Sequence, residues 1–298
     1  MILITLGLFT ACGPDNMTTF DHNGVEREYL LYAPTNENTD PTPLMLNLHG
    51  YGGTANGQME WADMRDLADA NNFLLVYPQG AEMSGSPHWN SSLPSEDNKS
   101  TSDDFGFLNA LVDYLIANNN VDADRVYVGG YSNGGFMSYS LACYHSDKYA
   151  AIFAVSSTMT NAFEGDCAPT RPLSVLSANG TDDGTVPYDG SADYNSQAAV
   201  ADYWKTHNNI TTDAEVTDIT SAIQRTSYTG GENGTAVDHY RLEGGTHVWH
   251  SDDARELGHP TSKTMFLSTQ PAERADRLRV DLSRRAHSAR LSFVHTER

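Results

Sequence analysis

The chemically richest stretch of the chain is RVYVGGYSNGG, residues 125–135, in which Ser132 stands at the centre of Gly130-Tyr131-Ser132-Asn133-Gly134. An apolar, strand-like run leads into it and a helix-like pattern follows. A serine on such a turn is held at a sharp bend. Side chains two residues to either side would strike the neighbouring strand and helix, so glycines are needed there. The helix that follows directs free N–H groups and the positive end of its dipole toward the serine. A serine hydroxyl is a weak nucleophile and needs a base, and the base needs a carboxylate to orient it. In strand–turn–helix serine sites the chain order is Ser, acid, His. After Ser132, the run NGTDDGTVPY (179–188) offers Asp182 and Asp183 in a glycine-rich turn past a strand-like segment. The run GGTHVW (244–249) then presents His247 after two glycines. Upstream, LHGYGG (48–53) forms a glycine-rich loop after another strand-like run. Such a loop supplies one oxyanion-hole N–H, here that of Tyr51, and the residue after the nucleophile, Asn133, supplies the other. His49 is expected to brace this loop by hydrogen bonding. His250 lies three residues past His247, but no carboxylate–histidine ligand spacing accompanies it, and no metal site is expected.

These residues need a scaffold that delivers each to one edge. Short apolar runs bounded by turn residues predict buried strands at Leu44–Leu48, Phe73–Tyr77, Arg125–Val128, Ala151–Val155 and Leu173–Leu176. Helical spacing predicts helices over Phe105–Ala117, Asn133–Tyr144 and Asp193–His207. Strands alternating with helices imply an α/β fold, a mostly parallel sheet with helices on both faces. Right-handed crossovers then gather functional loops at the carboxyl edge of that sheet.

The chain has 298 residues and a formal net charge of −21, a surface that repels phosphate backbones and argues against nucleic-acid binding. A neutral or weakly charged substrate is expected. The opening MILITLGLFTAC is apolar and ends in small residues before Cys12, like a short secretory segment with a lipoprotein-type cleavage site, although no Lys or Arg precedes it. Processing there would lipidate Cys12, and that anchor would be the chain's contact with a membrane, in a secreted, periplasmic or outer-membrane-anchored bacterial protein. Cys143 and Cys167 would then remain, either as free thiols or as a bridge, and an exported chain favours the bridge. From Pro271 to Arg298 there are seven Arg and four acidic residues, against 11 Lys and Arg and 35 Asp and Glu in the rest. We therefore divide the chain into a signal or lipoprotein-type segment (1–18), one catalytic domain (19–268) and an atypical basic tail (269–298) that is poorly packed, read out of frame, or a basic C-terminal helix.

The combination LHGYGG, VYPQG, WN, DDFGFL, RVYVGGYSNGGFMSYSLAC, NGTDDGTVPY and GGTHVW resembles the α/β-hydrolase serine esterases that include polyhydroxybutyrate-depolymerase-like proteins, feruloyl esterases and acetyl xylan esterases. The resemblance runs from about Thr19 to Phe266. It implies the α/β-hydrolase fold, hydrolysis of a small-molecule or polymeric carboxylic ester, and no cofactor. It also selects Asp183 over Asp182 as the acid and a Cys143–Cys167 disulfide. The family's WN segment makes Trp89, together with Trp249, an expected wall for an acyl or aromatic group. Two departures are visible: Asn179 stands where the family usually has His, and His250 follows Trp249 where Pro is usual. A polyester depolymerase, a serine peptidase and a non-catalytic binding protein on the same scaffold are the rival readings.

Overall fold

Alternation along the third strand explains the layering. Leu44, Leu46 and Leu48 face one core and Met45 faces another, and all four are buried. A strand apolar on both sides must lie in the interior of a sheet covered on both faces. The computed structural model describes residues 17–34, 40–93, 100–161 and 166–249. Cys12, where lipidation is expected, and the basic tail therefore lie outside the described residues.

In chain order the elements are β1 (Thr18–His22), β2 (Val25–Tyr32), β3 (Thr42–Leu48), α1 (Ala55–Trp61), α2 (Arg65–Asn71), β4 (Leu74–Pro78), β5 (Ala81–Met83), β6 (Ser86–His88), α3 (Asp104–Asn118), β7 (Val121–Tyr131), α4 (Asn133–Tyr144), β8 (Ala151–Val155), β9 (Ser174–Gly180), α5 (Gln197–His207), β10 (Glu215–Thr220), β11 (Ile223–Tyr228) and β12 (Val237–Leu242). Ten strands form one sheet in the order β1-β2-β4-β3-β7-β8-β9-β12-β11-β10. The six central strands, β4 to β12, run parallel, and an antiparallel extension closes each side. Side chains of α3, α4 and α5 pack on one face, including Leu111, Met137 and Trp204. Those of α1 and α2, including Met59 and Leu67, pack on the other. After β3 the chain passes to β4 on one side, and the later β7 lies on the other side of β3. Such a reversal opens a crevice at the carboxyl ends of β3 and β7, where ligands of open α/β sheets bind.

All five predicted strands form, and α4 has the predicted bounds. Three boundaries differ by four residues, and the other differences are smaller. The helix expected from Asp193 starts at Gln197, because Ser196 caps it by accepting from the Ala199 N–H. Strand β9 continues to Gly180, since Asn179 and Gly180 still pair with Arg241 and Leu242 of β12. Strand β7 begins at Val121, before the run that carries the apolar signal. The edge strand β10, EVTDIT, is almost wholly exposed and so lacks an apolar pattern, and its pairing comes from β11. Cys143, in the last turn of α4, is disulfide-bonded to Cys167.

Candidate active site

Strand β7 ends at Tyr131, and the next residue turns sharply. Ser132 has φ 50° and ψ −115°, a left-handed backbone that a non-glycine residue rarely adopts. Its N–H donates to the Val155 carbonyl of β8, and its carbonyl accepts from Phe136 as α4 begins. The flanking glycines have the steric role expected of them. A Cβ on Gly130 would lie 2.5 Å from the Leu48 carbonyl, and one on Gly134 would lie 2.4 Å from that same oxygen. Bare backbone at both positions allows β7, α4 and β3 to meet.

His247 lies on the loop after β12. Its Nε2 stands 2.9 Å from Ser132 Oγ, and its Nδ1 stands 2.8 Å from Asp183 Oδ2. Because an ionised carboxylate only accepts, Nδ1–H donates to Asp183 and Nε2 is left to accept from the serine hydroxyl. Asp183 is buried, and its second oxygen accepts the N–H groups of Thr185 and Val186, each at 2.8 Å. The carboxylate is thereby locked in one rotamer. Asp182 is exposed and points elsewhere, but its N–H donates to the Gly245 carbonyl and ties the acid loop to the histidine loop. Two further donors hold the histidine segment: Tyr131 Oη–H to the His247 carbonyl at 2.8 Å, and Ser156 Oγ–H to the Val248 carbonyl at 2.9 Å. Burial, aided by the Asp183 charge, pushes the Tyr131 hydroxyl up to about 12, so it remains a donor at neutral pH.

Asn133 is the first residue of α4, so its N–H has no acceptor within the helix. Tyr51 is a central residue of the turn that Gly53 N–H closes onto the Gly50 carbonyl, while the Gly52 N–H is taken by Pro87. That turn makes no use of the Tyr51 N–H. His49 is buried and braces the loop as expected. Its Nδ1–H donates to the Gly50 carbonyl, and its Nε2 accepts from Gly80 N–H. Burial drives its pKa down to about 4, so the ring is neutral.

The two tryptophans expected as substrate walls require correction. Trp89 is 2% exposed and Trp249 is 3% exposed, so neither borders an open cleft. Trp249 packs on Phe153 in the core layer beside α1 and α2. Trp89 instead acts as a clasp. Its backbone exchanges two hydrogen bonds with the Asn133 side chain, at 2.6 and 2.9 Å, and its indole N–H donates to the His49 carbonyl. The residue after the serine is thus joined to the glycine-rich loop through one tryptophan.

Sequence reasoning missed what supports this clasp. Asp104 is buried, pairs with Arg27 at 2.7 Å and accepts the Asn90 N–H at 2.8 Å, fixing the segment that carries Trp89. The signal was present in DDFGFL: Asp103 caps α3, which leaves Asp104 to a different task inside the first turn.

Residues 35–221 match the family model described as phospholipase/carboxylesterase. A putative esterase, NocK, from Nocardia uniformis subsp. tsuyamanensis is 34% identical over 170 residues, covering 56% of this chain and 48% of that protein. Feruloyl esterase B from Neurospora crassa is 31% identical over 172 residues, covering 56% of this chain and 58% of that protein. A bifunctional acetylxylan esterase/xylanase from Neocallimastix patriciarum is 31% identical over 165 residues, covering 55% of this chain and 22% of that protein. The chain thus spans less than two thirds of the length of each of these relatives. Among solved structures, an acetyl xylan esterase from Aspergillus awamori superposes with a TM-score of 0.63 at 13% identity, covering 82% of this chain and 98% of that one. That likeness shows the fold, which is the α/β-hydrolase fold.

Proposed function

Because the chain belongs to the phospholipase/carboxylesterase family, we propose that it is a serine carboxylesterase acting on neutral esters such as feruloyl, acetyl or other short-chain esters. The observation that carries this reading is His247, hydrogen-bonded at once to Ser132 Oγ and to the buried carboxylate of Asp183. In the proposed reaction His247 Nε2 takes the hydroxyl proton as Ser132 Oγ attacks the ester carbonyl. Asp183 holds the Nδ1–H tautomer and stabilises the imidazolium that forms. The N–H groups of Asn133 and Tyr51 receive the oxyanion, and each such donor is typically worth about 10²–10³ in rate. His247 then gives its proton to the departing alcohol. Water, activated by the same imidazole, hydrolyses the acyl-serine and restores the site. The disulfide supports the further proposal that the protein works in an oxidising compartment outside the cytosol.

The test is an ester panel at pH 8 with Ser132→Ala as the blank: short aryl esters, methyl ferulate, acetylated xylan and amorphous polyhydroxybutyrate. Ferulate or acetate release that the variant loses would place the enzyme among cell-wall esterases. Preference for the polyester would move it to the depolymerases. Ester turnover that survives Ser132→Ala, or its absence throughout the panel, would sink the reading.

A further inference from the structure

With Trp89 and Trp249 in the core, the apolar surface at the mouth of the site must come from other side chains. Three exposed large apolar residues lie on segments that carry or touch the site. Tyr51, on the glycine-rich loop, is 58% exposed, Trp61, the last residue of α1, is 43% exposed, and Val248, beside His247, is also exposed. Trp61 meets Tyr131 edge-on, with ring centroids 4.8 Å apart and planes at 90°. The Tyr131 ring in turn lies 5.1 Å from the imidazole of His247. A Cβ on Gly50 would come within 2.7 Å of the Tyr131 ring and 3.5 Å of Ser132 Cβ, so this ring links the glycine-rich loop, the nucleophile and the base. Trp61 continues that aromatic surface outward.

The position of Trp61 on its helix makes it conspicuous. Ala55, Gln58 and Met59 turn inward from α1, and the exposed positions around Trp61 are otherwise Gly57, Glu60 and Asp63. Binary patterning would place a polar residue at 61 as well. A single exposed aromatic ring is ordinary, but one that continues through Tyr131 to the imidazole of His247 extends an apolar surface to the reacting groups, as a binding surface would. Flat aromatic walls favour a flat partner through edge and offset-stacked contacts, and the net charge of −21 favours a neutral one.

We propose that Trp61, with Tyr51, forms the platform that receives the planar aryl group of an ester whose carbonyl lies at Ser132. This rests on the esterase reading above and adds the class of substituent and the residue that selects it. The experiment compares wild type, Trp61→Ala and Trp61→Phe on methyl cinnamate, benzyl acetate and methyl butyrate, which place an aryl group on the acyl side, on the alcohol side or nowhere. Trp61→Ala is expected to lower kcat/KM by about tenfold on one or both aryl esters, mainly through KM, and by less than twofold on methyl butyrate. Trp61→Phe should recover most of the loss. An equal loss on all three esters, or none on any, overturns the platform. Equilibrium binding of methyl cinnamate and benzyl acetate to Ser132→Ala, with and without Trp61→Ala, separates the two readings. Trp61-dependent binding of an aryl ester by a protein that hydrolyses no ester overturns the esterase reading and keeps the platform. Hydrolysis with no Trp61 dependence in rate or binding overturns the platform alone.

Discussion

Ser132 occupies a left-handed backbone that costs roughly 1–3 kcal/mol, a strain sustained only because β7, α4 and β3 close around it. The strain lifts its hydroxyl clear of the chain and into reach of His247. At the same scale, Asp183 is distinguished from its neighbour Asp182 by burial and by the three hydrogen bonds it accepts. Asp183→Asn would keep the shape, but one atom of the amide would be a donor. With its oxygen held by Thr185 and Val186, the amide nitrogen faces His247 Nδ1 and imposes the wrong tautomer. The expected result is a fall in kcat of about 10⁴ on a short aryl ester, with the melting temperature little changed. A kcat within tenfold of wild type would assign the carboxylate a structural role only.

Four of the six parallel strands, β3, β7, β9 and β12, bring residues of the candidate site to the same edge, because parallel strands end together. The loops they feed are bound to one another by backbone contacts such as Asp182 N–H to the Gly245 carbonyl. Close approach at this edge leaves little room for a side chain. In Gly134→Ala the new methyl would meet the carbonyl oxygens of Leu48 and His49 at 2.4 and 2.7 Å, both backbone atoms that cannot rotate away. Loss of soluble protein, or loss of esterase turnover with α4 displaced, is expected. A variant of wild-type melting temperature and turnover would show that α4 can shift without harm. At the other end of α4, the Cys143–Cys167 disulfide closes a loop of 24 residues. Its removal by Cys143→Ser with Cys167→Ser should cost about 3 kcal/mol on the chain-entropy account, read as a lower urea midpoint. A midpoint equal to that of wild type would mean that packing of α4 alone holds this end.

Across the whole molecule, two buried histidines link stability to pH. Burial lowers both His49 and His239 to about 4 from an unfolded value of 6.5. His239 is wedged between Ser177 and Tyr188, at 2.8 and 2.7 Å, and the nearby Arg241 charge lowers it further. Between these pH values the unfolded chain binds protons that the folded chain refuses. Stability is therefore full above about 6.5 and falls as pH drops toward about 4, by up to roughly 3 kcal/mol for each histidine. Carboxylates titrate mostly below pH 5, so melting curves between pH 6.5 and 5 isolate the histidines. A melting temperature flat across that window would show that protonation of these rings is not coupled to unfolding.

Much of this was legible in the sequence because it is local. Gly130, Ser132 and Gly134, between a strand-like run and a helical pattern, reveal a strand–turn–helix bend, and β3, β4 and β8 are short apolar runs bounded by turn residues that read as strands buried on both faces. Residue order also places Asp183 and His247 after strands, so their arrival at one edge follows from parallel pairing. The fate of Trp89 and Trp249 was not legible, because a tryptophan looks the same in sequence whether it lines a cleft or fills a core. The clasp from Asp104 through Asn90 and Trp89 to Asn133 joins residues up to 44 positions apart, and no local pattern encodes such a bond. Trp61 was silent for the same reason: a single aromatic in a short helix gains meaning only when Tyr131 packs against it. What the sequence alone determined is which groups could react and which strands carry them. Tertiary structure decided which aromatic rings face solvent, because exposure depends on neighbours brought together from distant parts of the chain.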